Sequence, residues 1–154
     1  MLNPAPVTDA IASTLLAIVD LNAAMDGRIA AFHYRLGQEY RLAERIYKMA
    51  APSMLVAWDG TLGGNFNGQT IWKHRFNVYF RMGNAAGLTD PVGYEDLWWI
   101  VCNKPPTGSQ VNIRYMQLYP GLDIMDTPSV AHALDEDLQD RFAGAFVIPE
   151  IGDN

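Results

Sequence analysis

A chain of 154 residues, 49% of them hydrophobic and only 18% charged, is long enough for a sizeable core and short of the charge that a fully solvated surface carries, which points to covered interfaces. Its net charge of −6 argues against nucleic acid as the main partner, because binding a phosphate backbone requires clustered Lys and Arg. Cys102 is the only cysteine, which excludes an intrachain disulfide.

Met1 to Pro6 lacks the basic start and apolar run of a signal peptide, and no apolar stretch approaches membrane-spanning length; a soluble protein made in the cytoplasm is expected. After Pro4 and Pro6, Thr8 is the expected N-cap of a helix whose buried stripe is Ile11, Leu15, Ile18, Asn22 and Met25, widened by Leu16 and Val19. Helical character is expected to continue, with a break near Gly27 or Gly37, until Ala50-Ala51-Pro52 stops it; Arg41, Arg45 and Lys48 would line its solvated side.

Ser53 to Asp59 reads as a short apolar strand, and the glycine-rich stretch Gly60 to Gly68 as a long hairpin loop leading to a second strand, Thr70 to Met82. That second strand has the clearest period in the chain. Trp72, His74, Phe76, Val78, Phe80 and Met82 point to one face, and Ile71, Lys73, Arg75, Asn77, Tyr79 and Arg81 to a basic, partly aromatic other face.

Gly83 to Thr89 is a loop, after which Asp90 as N-cap and Pro91 at the first helical position open a helix through Tyr94 to Cys102, stopped by Pro105-Pro106. Neighbouring Trp98 and Trp99 lie about 100° apart around a helix, so one is expected in the core and the other at its margin. Val111 to Tyr119 alternates as a third strand. Ser129 to Leu134 and Arg141 to Ile151 read as a hairpin across an acidic turn, with a short helix from Pro128 to Leu138 as the alternative. Pro149 lacks an N–H, which places the last segment at a sheet edge.

The order of elements predicts an α+β fold across residues 1–154 as one domain: an N-terminal helix, a mostly antiparallel sheet of four to five strands, and a second helix between strand pairs.

No chemistry-bearing constellation survives inspection. The glycine-rich stretch lacks the Gly-Lys-Ser/Thr ending of a phosphate loop and leads into a strand. His33, His74 and His132 have no partner at zinc-ligand spacing, and His74, alone on the apolar face, is expected to be a hydrogen-bonded core histidine. Asp135, Glu136, Asp137 and Asp140 are dense in oxygen, yet Asp140 and Phe146 stand where a calcium loop has Gly and Glu. Cys102 lacks a basic neighbour, no Ser sits in a nucleophile elbow, and Glu95-Asp96 suits a first helical turn. No catalytic residue, cofactor or metal is expected. The charge is split, with +2 over residues 1–82 and −8 over 83–154, which suits head-to-tail contacts between identical subunits.

In its order of elements the chain resembles the tail terminator, or tail completion, proteins of long-tailed bacteriophages and related head-tail neck proteins. The likeness rests on the N-terminal helix, the Trp72-to-Met82 strand after a glycine-containing hairpin loop, the helix around Trp98-Trp99, and the ending from Pro128-Ser129-Val130 through the acidic turn to Phe142–Gly152. Its most family-like phrase is Ile148-Pro149-Glu150-Ile151-Gly152-Asp153. The resemblance implies a virion protein of the tail or neck that forms a ring, typically a homohexamer, on the finished tail tube. Such a ring stops tube growth and joins the tail to the head, with the tail tube protein and a head-tail connector or stopper as partners. DNA would pass through without sequence-specific binding. Candidate assembly contacts, taken from the residues themselves, are Asn65, Phe66 and Asn67 on the loop, Lys73, Arg75, Arg81 and Arg114 on the basic face, and Asp135, Glu136 and Asp137 in the acidic turn. The rival readings are a neck adaptor or stopper, and a cone-shaped small-molecule enzyme with Trp72, His74, Phe76, Trp98 and Tyr115 around a ligand.

Overall fold

The computed structural model describes residues 3–82, 91–103, 117–119, 122–123, 129–131 and 141–151. Helix α1 (Pro4–Leu16) is capped by Asn3, whose side chain accepts from the Ala5 N–H at 3.2 Å, with Pro4 at the first helical position where its missing N–H is harmless. Thr8 is therefore not the cap. It lies buried inside the helix and its hydroxyl donates to the Pro4 carbonyl at 2.7 Å.

The helical run expected to reach Met49 breaks near Gly27 and Gly37, the two places where a break was expected, and also at Ile18, where none was. Ile18 is extended, and α2 (Val19–Ala24) starts afresh after it, with Asn22 Nδ2 bridging back to the Leu16 carbonyl at 2.9 Å. The break rotates the stripe, so that Leu21, not Asn22, is buried between Ile18 and Met25. Asp26 and Gly27, both at positive φ, end α2, and the chain continues as a short strand, β1 (Ile29–Ala31). Only after Gly37, also at positive φ, does helix α3 (Glu39–Tyr47) begin.

Strand β2 (Ser53–Phe66) runs straight through the glycine-rich stretch expected to be a loop, and β3 (Gln69–Arg81) returns beside it. The hairpin is closed by Asn67 and Gly68 alone, both at positive φ, the two-residue turn whose twist matches that of paired strands. A register shift between Trp58 and Thr61 absorbs the positive φ of Gly60. Helix α4 (Pro91–Asn103) starts at Pro91 as expected. A two-stranded ladder, β4 (Gln117–Tyr119) with β5 (Leu122–Asp123), forms a separate sheet packed near β7 and α1; of the third strand expected over Val111 to Tyr119, only the part in β4 lies among the described residues. Strand β6 (Ser129–Ala131) pairs antiparallel with β7 (Arg141–Ile151), the expected hairpin partners. The turn between them lies outside the described residues.

The main sheet has the order β1-β2-β3-β7-β6, parallel only at β1·β2, which makes the fold α+β with a mostly antiparallel five-stranded sheet. Both faces of the sheet are covered. Met54, Val56, Phe76, Val78, Phe80, Phe142 and Phe146 pack with α1, α2 and α4, while Leu55, Ala57 and Tyr79 meet Leu42, Ile46 and Met49 around α3. Each fully buried aliphatic or aromatic side chain in these layers contributes about 1.5–3 kcal/mol.

On the first face, Trp98 of α4 is buried and Trp99 is 58% exposed, the expected division. Phe80 meets Tyr94 and Trp98 edge-on, with centroids 5.2 and 5.7 Å apart, and Tyr94 stacks on Phe142 at 4.8 Å. Gly144 of β7 lies directly beneath the Trp98 ring, in space that any Cβ would fill. The Tyr94 hydroxyl donates to the Ala143 carbonyl at 2.7 Å, tying α4 to β7. On the second face, two arginines paired across β3 and β7 hold the C-terminal end of α3. Arg81 donates to the Met49 carbonyl, and Arg141 donates to the Ile46 and Tyr47 carbonyls at 2.9 and 2.6 Å while lying over the Tyr47 ring.

Gly144→Ala is expected to cost about 1–3 kcal/mol in urea unfolding by driving a methyl group into the Trp98 ring. Combining it with Trp98→Leu should cost less than the two single changes added together. Burial, ahead of repulsion from the Cys102 and Glu95 side, pushes the Tyr94 phenol far above the ordinary tyrosine range. The folded chain therefore holds that proton more tightly than the unfolded chain, and the stability it confers is complete below about pH 10 and falls as the pH rises beyond that. Tyr94→Phe should lower stability at neutral pH by about 1 kcal/mol and flatten the loss measured by denaturant titration above about pH 10.

Candidate functional site

The sheet is not equally wide along its length. Strand β1 pairs only with Met54–Val56, and β6 only with Ala143–Ala145. Beyond those residues β2, β3 and β7 continue together, with Thr61↔His74↔Ile148, Leu62↔Lys73↔Pro149 and Gly63↔Trp72↔Glu150 in register. Among the described residues, the far half of the sheet is thus a three-stranded ribbon whose tip is the Asn67-Gly68 turn.

Period-two alternation gives this ribbon two different faces. The face continuous with the core carries Thr61, Gly63, Trp72, His74, Ile148 and Glu150. Trp72 lies over Gly63, where a Cβ would come within 2.6 Å of the ring, so the indole covers backbone that a side chain would otherwise shield. His74, 1% exposed, joins the three strands: Thr61 Oγ1 lies 2.8 Å from Nδ1 and Glu150 Oε2 2.7 Å from Nε2. A carboxylate only accepts, so Nε2 donates its proton to Glu150, and in the neutral imidazole Nδ1 accepts from the Thr61 hydroxyl. The expected hydrogen-bonded core histidine is therefore present, and its two partners are residues the sequence did not single out. The signal was there in part. Thr61 and His74 flank a two-residue turn at matching distances, but Glu150 is 76 residues further on and only the β3·β7 register brings it near.

The opposite ribbon face carries Leu62, Ile71, Pro149 and Lys73, with Arg75 beside Asp59 at its inner end. Leu62, 74% exposed, shares a groove of about 430 Å³ with Gly63, Gly64, Asn65, Ile71 and Lys73. Of the candidate contacts, Asn65 and Lys73 are brought together here, Phe66 ends β2, and Asn67 forms the exposed turn.

The basic strip expected along β3 is not a continuous surface. Arg75 Nε donates to Asn77 Oδ1 at 2.9 Å and sits 3.6 Å from Asp59, and Arg81 is committed to α3. Lys73 and Arg81 are eight residues apart along one strand, about 26 Å. Arg114, Asp135, Glu136 and Asp137 lie outside the described residues, as does Tyr115 of the rival pocket. Of that pocket's other members, Phe76 and Trp98 are packed into the core, with Trp98 5.7 Å from Phe146. Among the described residues no three His, Cys, Asp or Glu side chains gather as metal ligands, and no helix is long and apolar enough to cross a membrane.

Neither the scan against protein-family models nor the search of curated proteins finds a match to this chain.

If His74 ties the ribbon together, its removal strands two polar partners away from bulk water. His74→Ala should lower stability by about 2 kcal/mol or more, and a double-mutant cycle with Glu150→Gln should show coupling of about 0.5–3 kcal/mol. Equal and fully additive losses would contradict the chain of contacts.

Proposed function

We propose that the protein is a structural assembly protein of a long-tailed bacteriophage, a tail terminator that forms a ring on the head-proximal end of the tail tube, stops its growth and joins tail to head. The observation that carries this reading is the three-stranded ribbon, which extends beyond the helix-covered body and presents a groove with exposed Leu62. A protein that works by covering the open end of a polymer needs such a surface and no reaction chemistry. The exposed Leu62 and Trp99, the shortage of charge and the opposite charge of the two halves of the sequence support the same reading. A neck adaptor or stopper would share the ring and differ in which neighbours it contacts.

Purified protein, alone and mixed with tail tube protein, is expected to give a ring, a hexamer in the favoured case, by native mass spectrometry and negative-stain imaging, and to arrest tube elongation. A chain that stays monomeric at every concentration and leaves tube growth unchanged would sink this reading.

One observation favours a second reading. The order hydroxyl, imidazole, carboxylate in Thr61, His74 and Glu150 has the polarity of an acyl-transfer triad, in which the hydroxyl attacks and the imidazole takes its proton. His74 is buried and the ribbon's groove opens on the opposite face, which favours a structural role for the three residues. Under the ring reading, activated esters are not turned over and Thr61→Val alters stability alone. Ester hydrolysis abolished by Thr61→Val in a folded protein would establish the hydrolytic reading instead.

A further inference from the structure

Five of the eleven basic residues fall between Arg28 and Lys48, and the fold gathers three of them around one hollow. The hollow, about 330 Å³, lies between α3 and β1, the outermost strand of the main sheet, and is lined by Arg28, Arg45 and Lys48. Arg45 and Lys48 are three residues apart and so lie side by side on α3. Both are exposed, and among the described residues neither has an ion-pair partner. Arg28 serves differently. Its guanidinium donates to the Ala51 and Pro52 carbonyls at 3.1 and 3.4 Å and sits 3.3 Å from Asp26, which pins the wall of the hollow between α3 and β2.

The floor of the hollow is apolar. Ala30 of β1 stands beside Leu55 of β2 in the parallel register, on the face of the sheet that α3 covers. Leu55 is buried there with Met49, whereas Ala30 is exposed, so the sheet runs out from beneath the helix at β1 and the small alanine leaves room above it. The C-terminal end of α3 comes to the same place, and the negative end of a helix would oppose an anion. Here the Ile46, Tyr47 and Met49 carbonyls already accept from Arg141 and Arg81, which relieves that opposition.

We propose that this hollow binds a small organic phosphate, with the phosphate held between the Arg45 guanidinium and the Lys48 ammonium and an apolar or aromatic body laid over Ala30, Leu55 and Met49. Two neighbouring cations without partners suit a dianion, and a guanidinium beside an ammonium offers a phosphate both a fork of donors and a point charge. The volume is that of a small-molecule site and more than an inorganic oxyanion fills. The apolar floor favours only a ligand that brings apolar surface to it. The hollow lies where β1 pairs with Met54–Val56, at the body end of the sheet and away from the ribbon, so the proposal stands independently of the ring reading.

Titration calorimetry of the full chain with AMP, inorganic phosphate and adenosine tests this. AMP is expected to bind saturably, inorganic phosphate more weakly, and adenosine not detectably. Arg45→Ala and Lys48→Ala should each weaken AMP binding about tenfold while leaving the urea midpoint in place, since both side chains are exposed. Arg35→Ala, which removes an exposed cation outside the hollow, should leave binding unchanged. Ala30→Leu, which fills the hollow without altering a charge, should weaken AMP more than inorganic phosphate. Failure of AMP to bind the folded chain would overturn the proposal. So would a loss with Arg35→Ala equal to that with Arg45→Ala, which would mean general attraction of anions to a basic surface, or equal binding of AMP and inorganic phosphate, which would mean a site for the bare anion.

Discussion

The antiparallel ladder that β3 makes with β2 on one side and β7 on the other fixes what every other part of the molecule does. With Thr61, His74 and Ile148 in one row and Leu62, Lys73 and Pro149 in the next, one face of three long strands becomes the floor for α1, α2 and α4, and the other meets α3. A slip of one residue would carry His74 to the outside and Lys73 into the core, so both cores and the ribbon depend on the same register. Two devices set it. The Asn67-Gly68 turn leaves two residues between the strands, and the Arg81–Arg141 pair anchors the other end of the ladder on the carbonyls of α3.

The same ladder explains why the sheet divides into a body covered on both faces and a ribbon that is buried on its core side and exposes Leu62 on the other. Short β1 and β6 flank only the part of the sheet that the helices need, and β2, β3 and β7 run on because they pair with each other. In the ribbon, hydrophobic layers no longer press on both faces. Cross-strand links take over there, with Trp72 lying over Gly63 and the His74 imidazole spanning Thr61 and Glu150.

Proline and glycine carry much of the local decision, each at a position where no other residue serves equally well. Pro4 and Pro91 begin helices, Asn67 and Gly68 form the hairpin turn, and Gly144 makes room for Trp98. In the glycine-rich half of β2, by contrast, Gly63 and Gly64 sit within the ladder opposite Trp72 and Ile71, and cross-strand partners hold a segment that has little preference of its own.

By itself the sequence determined the strongly periodic parts: the α+β class, the two faces of β3, the start of α4 at Pro91, the core seat of one tryptophan beside an exposed one, and the pairing of the last strand with the segment from Ser129. Burial on one side writes a period of two or of 3.6 directly into the residues, so those elements are legible without coordinates. Tertiary structure alone decided the rest. It cut the N-terminal helix at Ile18, because turning the chain there buries Leu21 in place of Asn22, and it took Ile29–Ala31 as a strand because β2 offered a parallel edge. It made a strand of Gly60 to Phe66, set β7 between β3 and β6 rather than at an edge, and broke the supposed basic strip by committing Arg75 and Arg81 to contacts within the chain. The Thr61–His74–Glu150 chain belongs to the same class. Its members are dispersed in sequence, and only long-range strand pairing, which local propensity does not encode, brings them within hydrogen-bonding distance.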